Sequence, residues 1–210
     1  MLSGLARALT LAPLMVVGLG SPAIASLGGP AIAEILGYNE SEDRLYYVVF
    51  DYSEAGSPPQ IFYHDLGSSD PSVPHLDLPS DLMRLRERER YAAMEARLDS
   101  LRAALDTLER VPRSEVSILS ETLSQAYFGE VSAYNRRPVY VLKLEVQALG
   151  YRGTKYVAAF CNKDAEVTEV RRVPGHPFVI ANLAYTGIPY ESCYRRHELV
   201  LMWPEAAERP

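Results

Sequence analysis

Positive charge is in short supply in this chain of 210 residues: 21 Lys and Arg face 27 Asp and Glu, for a formal net charge of −6. Nucleic acids and anionic lipid surfaces are bound by positive charge that displaces counterions, so the composition argues against both partners. Lysine is the scarcer base, present only as Lys143, Lys155 and Lys163. Cysteine is nearly absent. Its two copies, Cys161 and Cys193, lack the Cys-x-x-Cys spacing of a redox-active pair, and both lie too far from the N-terminus to carry a lipoprotein anchor. The four histidines, His64, His75, His176 and His197, are too scattered for any zinc signature. The Gly-x-Ser-x-Gly elbow of a serine hydrolase is missing, and no glycine cluster follows a strand to form a phosphate loop. No motif calls for a cofactor, and none supplies a catalytic residue.

What is present begins with an export signal over residues 1–25. Arg7 is the only charge before Glu34, the stretch from Ala8 to Leu19 is almost wholly apolar, and Ala23-Ile24-Ala25 is a small-x-small cleavage pattern. An uncut membrane anchor fits less well, because a spanning helix needs roughly 20 apolar residues and this run is shorter and broken by Pro13. Pro22-Ala23-Ile24-Ala25 recurs as Pro30-Ala31-Ile32-Ala33, so cleavage after Ala25 or after Ala33 both fit. The expected product has no stable membrane anchor. It is periplasmic or extracellular, where Cys161 and Cys193 find each other as a disulfide, with two buried free thiols as the alternative. In the chain-entropy view, closing that loop stabilises the fold by about 3 to 4 kcal/mol.

Residues 26–210 read as one α+β domain. Over residues 34–66, two strand-forming runs flank the acidic turn Asn39-Glu40-Ser41-Glu42-Asp43, and a third run, Gln60 to Asp65, completes a β-hairpin unit. The turn lacks the Asp-x-Asp-x-Asp-Gly order of a calcium loop. Gly37-Tyr38-Asn39-Glu40-Ser41-Glu42-Asp43-Arg44-Leu45-Tyr46-Tyr47 resembles a single blade of the exported TolB-like propellers. A propeller requires the unit to recur every 40 to 45 residues or so, and no second copy is found. A signal followed at once by such a hairpin is also similar to a group of uncharacterised secreted bacterial proteins. That resemblance implies export and no known activity.

Ser80 is positioned to cap a long amphipathic helix over residues 80–111, which Pro112 ends. Tyr91, Met94, Leu98, Leu101, Leu105 and Leu108 are spaced alternately three and four apart, a heptad seam that suits either this protein's own sheet or a partner helix in a homodimer. From residue 115 to 203 an antiparallel β meander is expected. Tyr140 to Ala148 alternates apolar with polar residues, and later runs start at Thr154, Glu166, Phe178 and His197, joined by short Gly-, Asn- and Pro-containing turns.

Two constellations stand out as candidate sites. Tyr185, Tyr190 and Tyr194 surround Thr186-Gly187-Ile188-Pro189 and suit a recognition surface for a protein or a glycan. His64, Asp65, Asp70 and His75 flank one loop and form a weak metal-ligand set. The expected function is a non-catalytic binding or assembly module of the bacterial envelope. The alternative is a small exported hydrolase or metal-dependent enzyme working from the His64 to His75 loop.

Overall fold

The computed structural model describes residues 29–52, 57–79, 82–128, 137–188 and 193–205. In chain order the strands are β1 (Ala31–Asn39), β2 (Arg44–Asp51), β3 (Gln60–Asp65) and β4 (Pro74–Leu76). The helix α1 (Glu87–Ala104) follows, and then β5 (Glu109–Arg110), β6 (Val116–Phe128), β7 (Arg137–Ala148), β8 (Tyr151–Phe160), β9 (Ala165–Arg172), β10 (Val179–Ile188) and β11 (Tyr194–Pro204). The signal segment and its cleavage after Ala25 lie outside the described residues.

These strands join into one mixed sheet. Its main path runs β4-β3-β2-β1-β11-β10-β9-β5, and a second limb, β6-β7-β8, attaches through β8 to β11. Among the described residues the only parallel contact is Ala31 beside Arg196, between β1 and β11. An α+β class with one long amphipathic helix is therefore corrected: among the described residues eleven strands accompany a single α-helix of 18 residues, and the protein is mostly β. The single meander is corrected as well. β6-β7-β8 and β9-β10-β11 are two separate three-stranded meanders, because β8, paired with β7 along its whole length, meets β11 on its other edge and does not pair with β9.

The shortened helix has a physical cause. Glu89 Oε2 accepts the Arg86 backbone N–H at 3.2 Å, which starts α1 at residue 87. Its end is set by tertiary competition: beyond Ala104 the chain turns extended, and Tyr38 and Asp106 exchange two backbone hydrogen bonds of 3.1 and 2.9 Å. Gly37 permits this approach. A Cβ there would sit 2.5 Å from the Asp106 carbonyl oxygen. The heptad spacing of Leu105 and Leu108 thus continues past the helix into extended chain. The expected cap, Ser80, lies outside the described residues.

Three apolar clusters hold the layers together. β2 is buried on both faces, since Leu45 and Tyr47 point into one cluster and Tyr46 and Val48 into another. α1 covers the second face with Met94, Leu98 and Leu101, each worth about 2 kcal/mol of burial. The third cluster lies between the two limbs, where Leu142, Leu144 and Val146 of β7 meet Val170, Ala181, Leu183 and Met202 of β9, β10 and β11. The β7-β8 hairpin closes through Leu149 and Gly150, both at positive φ (53° and 78°), the twist-matched two-residue turn.

Candidate functional site

β8 and β11 form a wedge. They pair only at one end, Arg152 with Trp203 and Tyr151 with Pro204. Beyond that end they share no further main-chain pairing, and past their opposite ends Cys161 and Cys193 form a disulfide with a Cα–Cα separation of 6.3 Å. Between the two ends the strands are bridged by side chains. Lys155 Nζ lies 2.9 Å from Glu198 Oε2, and the Tyr185 hydroxyl donates to Glu198 Oε1 at 2.7 Å.

The loop after β3 closes over this wedge and leaves a crevice of about 390 Å³. Its polar wall is Ser69, Asp70, Ser72, Thr154 and Lys155, and Trp203, the only tryptophan of the chain, supplies an aromatic wall. Asp70 is preorganised, because its Oδ1 accepts the Ser72 hydroxyl at 2.5 Å and the Ser72 amide at 3.1 Å. Those two donors hold the Asp70 carboxyl below the usual carboxylate range. The carboxylate therefore stays ionised at the mouth of the crevice.

His64 anchors the loop from beneath. Its Nδ1 donates to the Pro71 carbonyl oxygen at 2.9 Å, its ring stacks on Tyr47 at 5.5 Å, and its Nε2 is buried with no hydrogen-bond partner among the described residues. Burial drives the imidazole pKa down from 6.5 to about 4, so the ring is neutral at physiological pH. The hydroxyls of Tyr47 and Tyr185 are pushed far up, in both cases chiefly by burial and then by the Glu198 carboxylate.

The residues singled out in the sequence fall apart in space. His64 faces inward, Asp70 caps Ser72, His75 stacks on Tyr63 at 5.3 Å, and Asp65 sits opposite Arg44 in the β2-β3 ladder. Among the described residues no group of three or more His, Cys, Asp or Glu side chains is placed to hold a metal ion. Of the tyrosines, Tyr185 is buried beneath Glu198, Tyr194 is half-buried at the start of β11, and Tyr190 lies outside the described residues. Of the helix seam, Met94, Leu98 and Leu101 are buried in the protein's own core, with Leu105 packed beside them. Leu108 is buried in a neighbouring cluster, and Tyr91 is exposed.

A second polar cluster was not visible in the sequence. Asp43 Oδ1 accepts the Tyr38 hydroxyl at 2.8 Å and lies 2.7 Å from His176 Nε2, which ties the β1-β2 turn to the β9-β10 turn. Burial and the Asp43 carboxylate push the Tyr38 hydroxyl up to about 12. Phe178 and Trp203 stack in series behind His176, with ring centroids 5.0 Å apart at each step, so this cluster is the structural support of the aromatic wall. The signals that pointed to the crevice were faint: a lone tryptophan closing a strand, and an Asp-x-Ser turn.

No protein-family model, curated protein or solved structure matches the chain. Among the described residues, no helix is long and apolar enough to cross a membrane.

Proposed function

We propose that this protein is an exported, non-catalytic binding module of the bacterial envelope, and that its ligand is a glycan seated in the wedge between β8 and β11. The observation that carries this reading is the make-up of the crevice. Its lining combines a tryptophan with an ionised Asp70, a lysine and three hydroxyls. A sugar presents an apolar C–H face and a rim of hydroxyls, which match an aromatic wall and convergent polar groups of this kind. Export is supported by the Cys161–Cys193 disulfide, since such bonds persist in oxidising compartments.

Because Trp203 is the only tryptophan, its emission reports directly on the crevice. Titration of the oxidised protein with oligosaccharides from peptidoglycan and from envelope polysaccharides is expected to shift or quench that emission saturably. Asp70→Ala is expected to weaken binding at least tenfold with the fold intact. Unchanged Trp203 emission across the saccharide panel would reject the glycan, and binding that survives Asp70→Ala would move the site elsewhere.

A further inference from the structure

The ends of the large sheet are not alike. Along the main path it terminates in β4, of three residues, and β5, of two. Very short edge strands are one of the ways proteins blunt unpaired main-chain edges. The second limb ends in β6, which is 13 residues long, pairs with β7 on one side, and has no strand on its other edge among the described residues.

Val116 and Ile118, at the start of this strand, pack against the core, and the rest of it lies at the surface. From Leu119 to Tyr127 every side chain is exposed, on both faces, whereas its β7 neighbours Leu142 and Leu144 are completely buried. β6 therefore overhangs the body of the protein. Between Val116 and Phe128 it contains no lysine, arginine or proline, and its one charge is Glu121, which stands opposite Lys143. The usual guards of an edge are missing apart from a single bulge between Thr122 and Ser124. The same limb is rich in exposed apolar surface: Leu119 is 60% exposed, Leu123 48%, Tyr127 52% and Tyr156 62%.

We propose that β6 is a self-association edge: two copies pair their β6 strands antiparallel about a two-fold axis and join their sheets into one. Two physical arguments select a second copy as the occupant. Copies of an acidic chain repel one another, and β6 is a long exposed stretch where that repulsion is small, with Glu121 as its one acid and Lys143 opposite it in the ladder. An isologous antiparallel pairing also satisfies both open edges at once and then closes. The pairing uses up both β6 edges, so assembly through this strand stops at two.

The test is the solution mass of the oxidised full-length mature protein, measured by light scattering from 1 to 500 µM. A dimer is expected. The double variant Leu119→Lys, Leu123→Lys places charge on exposed positions, so it is expected to keep the parent melting temperature while raising the dimer dissociation constant at least tenfold. Tyr91→Lys on the exposed helix face is expected to leave the dimer unchanged. Amide exchange read along β6 separates edge pairing from other contacts, since protection there must rise with protein concentration. A monomer throughout the range would overturn the proposal, as would a dimer indifferent to the double variant, a dimer without concentration-dependent protection in β6, or open-ended oligomers.

Discussion

His64 makes stability depend on pH in a direction and window that the structure fixes. The unfolded chain takes up a proton on this ring near pH 6.5, while in the folded protein the buried ring resists protonation until about pH 4. Between those values the unfolded state binds more protons, so stability falls as pH falls. Above pH 6.5 both states are neutral at this ring and it contributes no pH dependence. Below about pH 4 both are protonated, and the loss stops growing. With about 1.4 kcal/mol for each pH unit in the window, the loss comes to about 3 kcal/mol by pH 4. His197 is also held below its usual value, mainly by burial, and adds a slope of the same sign, so the wild-type curve alone does not isolate His64. His64→Asn does. The amide reaches the position of Nδ1, can donate to the Pro71 carbonyl oxygen, and does not titrate in this range. Urea unfolding at half-unit steps from pH 7.5 to 4 is expected to show the variant less stable at pH 7, with the gap to wild type closing by about 3 kcal/mol as the solution is acidified. If the two proteins lose stability in parallel, His64 titrates normally and its burial in the folded state is refuted.

Three further perturbations have definite outcomes. Gly37→Ala drives a methyl into the Asp106 carbonyl at 2.5 Å, and overpacking of this kind costs about 1 to 3 kcal/mol, read as a lower thermal midpoint. Reducing the Cys161–Cys193 bond, whose partners are separated by 32 residues, removes up to about 4 kcal/mol in the chain-entropy view. Calorimetry with and without reductant measures that difference. A chain beginning at Glu34, the product of cleavage after Ala33, lacks the Ala31 contact with Arg196. It also lacks the Ala33 carbonyl that accepts from buried Asn182 Nδ2 at 2.8 Å. Such a chain is expected to lose about 1 to 3 kcal/mol from the unsatisfied amide alone, and N-terminal sequencing of protein isolated from its native host is expected to find a start upstream of Ala31.

The legible parts of the fold were those where side-chain pattern and main-chain path agree. β7 alternates cleanly because one face packs against β9, β10 and β11, and the β7-β8 turn announces itself through Gly150. β6 was passed over for the opposite reason. A strand exposed on both faces has no reason to alternate, and Ser117 to Tyr127 reads as mixed polar chain. The helix was overextended because Leu105, Leu108 and Val111 keep the spacing of a helical stripe while serving three different apolar clusters along extended chain. Only the hydrogen bonds to Tyr38 reveal the change. The crevice was missed since Asp70, Lys155 and Trp203 come from distant parts of the chain and belong to no motif. Their meeting depends on where β8 leaves β11, which is a matter of sheet topology.

That divergence of β8 from β11 ties the shape of the site to the redox history of the chain. Main-chain pairing fastens the two strands at one end only, and a covalent clasp holds the other. Without that bond the two strands are held to each other by main-chain pairing at one end alone. Reduction therefore removes the one covalent link between the chain ends of β8 and β11 that flank the crevice.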